Sequence, residues 1–327
     1  MRIHIASIGT EPEHEAQRRF LTDLAARDEI GVHRLAASAE SADGVLFVDL
    51  HQHPDDPYLH SLRAHPLVRR FGSKTFVLDQ RDTPTYTWPG IYVSASRRWR
   101  RSTVRGGPYP VLPNAPNPRE APPTLLFSFM GARTHPVRER LLAITHPRAI
   151  VEDTSDTHTM PWLTGPQSPQ TSHHRFATVL QRSKFVLCPR GHGPSSFRLY
   201  EALSAGRVPV VISDGWLAPP GVAWNGCTVR VPERQADDVV EILEAAEPGW
   251  PAMAACALDV WDKNFRDGRL WHHYAESLEE LSRIARRAAQ APWWMQEPVL
   301  RIAARRALAR VRRSDPRLAP RIPSRER

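Results

Sequence analysis

Residues 184–214 read KFVLCPRGHGPSSFRLYEALSAGRVPVVISD, and this short stretch holds the parts of an anion site. Gly193 lets the backbone come close to a ligand, and Pro194 suits the first position of a helix. Behind it, the N–H groups of Ser195, Ser196 and Phe197 are expected to point out of a helix start, where the helix dipole favours a phosphate. Arg198 adds a fork-shaped cation, and Glu201, three residues on, brings a carboxylate to the same helical face. A nucleoside diphosphate needs those parts in that order: cations for its phosphates, then an acceptor for its ribose hydroxyls. A plainer reading also stands, because strand–turn–helix units occur throughout α/β domains and Arg/Glu pairs at this spacing are often solvated.

Positioning such a segment requires parallel strands with helices between them. Residues 2–8 read as a first strand, followed by a helical pattern over 13–27 and strands over 44–50 and 75–78. The second of these is a near-continuous apolar run, as expected where both faces of a sheet are covered. Residues 106–123 hold seven prolines and two glycines and read as a linker. A second alternation follows, with strands at 125–130, 149–151, 184–188, 208–212 and 227–231 and helices at 136–144, 170–182, 195–205, 235–246 and 269–289. Gly206 is placed to end its helix as a left-handed cap. The expected class is α/β, with two Rossmann-like domains facing a cleft where ligands would bind. Their bounds are 1–105 and 124–290, with the linker at 106–123 and a basic tail at 291–327.

Composition narrows the function. The chain has 327 residues, 41% hydrophobic and 24% charged, so two cores are feasible and a disordered chain is excluded. The formal charge is +9, but ten arginines against Glu297, Asp315 and Glu326 put +7 of it in residues 297–327. A nucleic-acid binder would spread basic surface over the fold, so no nucleic-acid partner is expected. Cys188, Cys227 and Cys256 form no paired motif, which argues against disulfides and a cysteine-built zinc site. The residues after Met1 enter a strand pattern rather than a signal segment, and no apolar run approaches a membrane span. A cytoplasmic protein is expected, or one peripheral to the inner face of the cytoplasmic membrane.

The segment Ser183–Asp214 closely resembles the signature of the exostosin family, glycosyltransferase family 47. The likeness extends loosely from FSFMGARTHPVRERLL at Phe127 to about Ala275 and is weak over the first half. The resemblance implies a GT-B fold whose second domain binds a nucleotide sugar, commonly a UDP-sugar. It implies that Glu201 holds the ribose and that Arg190 and Arg198 hold the diphosphate, with Gly131 and Arg133 bordering the pocket. It further implies polysaccharide biosynthesis, with a glycan or lipid-linked acceptor. There is no Asp-x-Asp motif in the chain, the usual holder of a divalent ion in metal-dependent sugar transfer. Transfer without metal or other cofactor is therefore expected, the departing diphosphate being met by fixed cations and N–H groups.

An acceptor hydroxyl needs a base from the first domain, at the carboxyl end of a strand. Two clusters qualify: Asp49-Leu-His51-Gln-His53-Pro-Asp55-Asp56 and Asp79-Gln-Arg81-Asp82-Thr83-Pro84. Asp82 ranks first, then Asp79, then His51. His51 and His53 are also metal-ligand types, although His-x-His is common in polar loops and no metal site is assigned. A carboxylate base implies inversion at the anomeric carbon. Trp88, Trp99, Trp216 and Trp224 could stack on a sugar or base, or serve as packing. In the tail, residues 298–313 form an amphipathic pattern with Trp293 and Trp294 before it, so contact of residues 293–313 with an anionic membrane is expected. The competing reading is a scaffold or glycan-binding protein that keeps the nucleotide-sugar fold without catalysis.

Overall fold

The computed structural model describes residues 1–9, 12–49, 58–84, 86, 88–112, 122–156 and 170–290. His51, the middle of the proline-rich segment and the basic tail lie outside these residues. The first half forms a parallel six-stranded sheet from β1 (Arg2–Ala6), β2 (Arg34–Leu35), β3 (Gly44–Phe47), β4 (Thr75–Asp79), β5 (Gly90–Tyr92) and β6 (Val104–Gly106), in the order β2-β1-β3-β4-β5-β6. β3 and β4 are buried along their whole length, which is why each holds an apolar run, Val45–Phe47 and Phe76–Leu78. The crossovers are helices α1 (Pro12–Ala26), α2 (Tyr58–Ala64) and α3 (Pro66–Phe71). At α3 the Leu67 N–H donates to His65 Nδ1, and Pro66 occupies the first turn, where its missing donor costs nothing. Gly90 pairs with Val77 in β4, and any Cβ there would strike the Val77 carbonyl.

The second half forms a parallel five-stranded sheet, β11-β10-β9-β7-β8. Its strands are β7 (Leu125–Gly131), β8 (Ala149–Asp153), β9 (Ser183–Pro189), β10 (Val208–Ile212) and β11 (Val229–Arg230). Its helices are α4 (Pro136–Leu142), α5 (Gln170–Arg182), α6 (Phe197–Ser204), α7 (Val239–Ala246), α8 (Trp250–Asn264) and α9 (Asp267–Gln290). The α/β class and the two parallel sheets are as the sequence led us to expect; α8 is an addition.

Both sheets belong to one compact unit, Met1–Ser282. One apolar core runs from Ile3, Leu46 and Phe76 through Tyr109 to Leu199, Trp216, Trp271 and Tyr274. Trp216 and Trp271 are therefore packing residues, as are Trp224, edge-on to Trp216 at 5.0 Å, and half-buried Trp88, which donates to the Thr75 carbonyl at 3.1 Å. Trp99 alone of these is substantially exposed. The last helix serves the first half as well: Tyr274 donates to the Pro108 carbonyl at 2.8 Å, and Arg105 pairs with Glu280 at 2.9 Å. The segments after β5 and β10 join the two halves, with Leu217 N–H donating to Ala95 O at 3.0 Å and Arg97 N–H to Gly215 O at 2.7 Å.

Candidate functional site

The loop 190–196 leaves the carboxyl end of β9 held by its own backbone. Arg190 N–H donates to Ile212 O at 3.1 Å, and Gly191 N–H to Gly193 O at 3.2 Å. The helix that follows begins at Phe197 with Ser196 as its cap, later than the expected start at Pro194. The cause is tertiary. Ser213 Oγ takes the Pro194 carbonyl at 2.8 Å, and the Ser195 N–H points to Ser94 Oγ of the first half at 3.4 Å. Those groups are used across the junction and do not join the helix ladder.

The two charged residues of the helix turn inward. Arg198 donates through Nε to the Met130 carbonyl at 2.9 Å and through Nη2 to the same oxygen. Its guanidinium lies 5.5 Å from the ring centres of Phe129 and Phe176. Burial pushes its pKa down while Glu201 pulls it up, so the pair is electrostatically joined. Glu201 has no exposed surface. Gly131 makes this arrangement possible, because a Cβ there would sit 2.9 Å from Arg198 Nη2. Arg198 is thus tied to the end of β7 and Glu201 is buried beside it; the resemblance implied that these two residues meet the diphosphate and the ribose. Arg133 is not brought to the loop: it is half exposed and pairs with Asp153 at 2.5 Å.

The cations that do meet the loop are Arg190 and Arg138. Arg138 is 8% exposed and holds three carbonyls: Arg190 O at 2.9 Å, Ala132 O at 3.2 Å and Pro189 O at 3.3 Å. Burial lowers its pKa and nearby Arg198 lowers it further, while Asp82 and Tyr109 oppose them. Arg190 approaches the His192 carbonyl at 3.4 Å and Glu233 at 3.9 Å, and its buried Nε has no hydrogen-bond partner. Thr134 Oγ1 and Ser196 Oγ are also buried and without partners among the described residues. A Cβ on Gly191 would lie 3.0 Å from both Thr134 Oγ1 and Arg138, which puts these groups around one turn. Buried polar groups normally find partners, so such a concentration marks a place kept for something polar.

The first half supplies the opposite wall. A Cβ on Gly193 would lie 2.6 Å from the Asp82 carbonyl and would strike Ser94, so only glycine lets the two halves close to this distance. Asp82 keeps an exposed face. Its surroundings strip away enough water to raise its pKa, with His192 and Arg138 pulling it back. Asp79, the second candidate, is buried and forked onto Arg81, with Nη2 donating to Oδ2 at 2.6 Å and the Arg81 N–H donating to Oδ1 at 2.9 Å. Its charge is committed to that pair. Tyr109 packs its ring 3.9 Å from Phe197 and closes the side of the helix start.

Reading the sequence missed Arg138, His192 and Thr134. His192 lay inside the segment singled out above. Arg138 could have been found from topology, since α4 follows β7, the neighbour of β9, and so opens on the same edge of the sheet.

An Exostosin GT47 domain matches residues 90–246. The match starts on β5, well before the loosely similar stretch, and so takes in part of the first sheet as well as the loop. An exostosin-1 homolog of Caenorhabditis elegans is 45% identical over 70 residues, 21% of this chain and 18% of that protein. Exostosin-1 of Drosophila melanogaster is 33% identical over 108 residues, 32% of this chain and 13% of that protein. The chain thus matches less than a fifth of the length of these relatives. Among solved structures, T4 phage β-glucosyltransferase gives a TM-score of 0.39 at 12% identity, covering 86% of this chain and 99% of that one. A glycosyltransferase from Rickettsia africae gives 0.40 at 8% identity, covering 86% and 98%. Between Gly90 and Ala246, with the Arg190–Ser196 loop inside that span, the chain is similar to an exostosin GT47 domain.

Proposed function

We propose that the protein is a GT-B glycosyltransferase that moves a sugar from a nucleoside diphosphate donor, a UDP-sugar, to a hydroxyl of a glycan or lipid-linked acceptor. The carrying observation is the juxtaposition of Asp82 with a loop whose buried donors, Thr134 Oγ1, Arg190 Nε and Ser196 Oγ, are unmatched. In this reading the diphosphate takes those donors, and Arg138 holds the Pro189 and Arg190 carbonyls and so fixes the course of the loop. Asp82 takes the acceptor proton while the acceptor oxygen attacks the anomeric carbon from the face opposite the diphosphate. The bond to the diphosphate breaks with inversion, and the new negative charge falls on the oxygen facing Arg190. His192, beside Asp82, is placed to hold the acceptor hydroxyl. No step requires a metal ion.

The test is a thermal-shift panel of UDP, GDP, ADP and several UDP-sugars on the wild type and on Arg190→Ala, each against its own EDTA baseline. A ligand at 100 times its dissociation constant adds about 2.7 kcal/mol, a readable shift. UDP compounds should stabilise the wild type, and the variant should lose most of that shift. If no nucleotide stabilises the wild type, the donor assignment falls and a non-catalytic scaffold takes its place.

A further inference from the structure

At the other edge of the first sheet, three metal-ligand types from distant parts of the chain converge. His33 precedes β2, while His272 and Glu276 are one turn apart on α9, and one ligand atom of each lies within 4.8 Å of the others. His33 Nε2 is 2.8 Å from Glu276 Oε1, and His272 Nε2 is 3.9 Å from the same oxygen. The two imidazoles are 5.1 Å apart between ring centres. An ion pair between His33 and Glu276 explains the first distance. It does not explain why a second imidazole is drawn in beside it.

Two further observations point to a ligand. His272 Nδ1 is buried with no hydrogen-bond partner, and Asp28 Oδ1, from the turn before His33, is buried in the same condition. His272 thus turns Nε2 toward Glu276 and leaves its other nitrogen unsatisfied among the described residues. The side chain of His33 is fully buried and that of Glu276 half exposed, so the cluster is anchored on one side and open to solvent on the other. Met1 N at 3.0 Å from His33 Nδ1 and Glu279 at 3.8 Å complete its surroundings.

We propose that His33, His272 and Glu276 bind a divalent transition-metal ion of borderline softness, Zn²⁺ being the natural fit, with water in the remaining position. Two imidazoles and a carboxylate suit such an ion, whereas Mg²⁺ and Ca²⁺ favour oxygen alone. The ion would clasp the β1–β2 connection to α9. None of these residues belongs to the loop site, and the inference does not rest on the proposed transfer.

The experiment titrates Zn²⁺ alone into chelator-treated, full-length protein and follows stoichiometry by calorimetry and melting temperature by thermal shift. The wild type should take up one equivalent at this site and melt higher. Glu276→Gln and His272→Ala should weaken that binding by more than about tenfold. His51→Ala/His53→Ala, which removes the other histidine pair, should leave it intact. Far-UV circular dichroism checks that Glu276→Gln, a change at a half-exposed position, is folded. The proposal is overturned if the wild type takes up no equivalent, or if Zn²⁺ binds the Glu276→Gln and His272→Ala variants as it binds the wild type.

Discussion

Two polar clusters sit at the carboxyl edges of the two sheets, and they are finished differently. Under the first sheet, Asp79 is forked onto Arg81, and Asp49 accepts from Ser7 Oγ and from the Ile8 N–H at 2.9 Å. At the second sheet, Arg190 Nε, Ser195 Oγ and Ser196 Oγ in the loop after β9, and Thr134 Oγ1 beside it, are buried without hydrogen-bond partners among the described residues. In the first place ion pairs and hydrogen bonds within the fold offset most of the desolvation, whereas in the second more of the polar atoms are left over. Polar satisfaction is the rule in protein interiors, so the first cluster reads as structure and the second as a site. The same contrast separates the two candidate bases. Asp79 is locked by Arg81, while Asp82, three residues on, keeps an exposed face and a raised pKa.

The largest expected effect tests that separation directly. Asp82→Asn should lower turnover by about 10²–10⁴-fold, the range of a lost general base. A base works ionised, so activity should fall as pH drops through the Asp82 pKa. Because that pKa is raised by desolvation, the acid limb should lie above the ordinary carboxylate range. The stability sign is opposite. A carboxyl whose pKa is higher in the folded state disfavours folding once ionised, a penalty absent below the unfolded pKa and complete above the folded one. Asp82→Asn should therefore melt no lower than the wild type at pH 7, and slightly higher if anything. A variant that keeps turnover would return Asp82 to the role of a turn carboxylate.

The partner experiment is Arg81→Ala, which strands the Asp79 carboxylate in the interior. Removing one member of a buried pair costs about 3–5 kcal/mol, so denaturant unfolding should show a large loss of stability. Next comes Arg190→Ala, which should weaken UDP binding by about 10–100-fold, the worth of a charged hydrogen bond to phosphate, with little change in melting temperature. If instead Arg81→Ala is harmless and Arg190→Ala unfolds the protein, the roles of the two clusters are reversed.

Much of this was legible in the sequence, and the gaps have physical causes. Strands β3, β4, β7, β9 and β10 announce themselves as apolar runs because both faces of a parallel sheet are covered. Helix α8 does not: WPAMAACALDVWDKN mixes small and large apolar residues around the helix and leaves no clear stripe. The spacing of Arg198 and Glu201 placed them on one face, but spacing says nothing of which way that face turns. Pro194 signals a helix start by local preference, and Ser94 and Ser213, from elsewhere in the chain, overrode it. No periodicity could show that Arg138 lies under the loop, because that follows from the order of strands.

The smallest predicted effect is the most discriminating. Ser196 caps α6, yet its side chain makes no capping hydrogen bond and its Oγ is buried unpartnered. A serine that caps a helix loses about 1 kcal/mol on truncation to alanine, whereas one that caps nothing has little to lose. Removing a buried hydroxyl that has no partner also removes its desolvation cost. Ser196→Ala should therefore leave the melting temperature unchanged or slightly raised, while UDP affinity falls by about three- to tenfold, the worth of one neutral hydrogen bond. A structural serine would give the reverse, with lower stability and unchanged affinity. Because the two readouts move in opposite senses under the two assignments, thermal unfolding and a UDP titration on this single variant decide whether the unmatched donors around the loop belong to a ligand or to the fold.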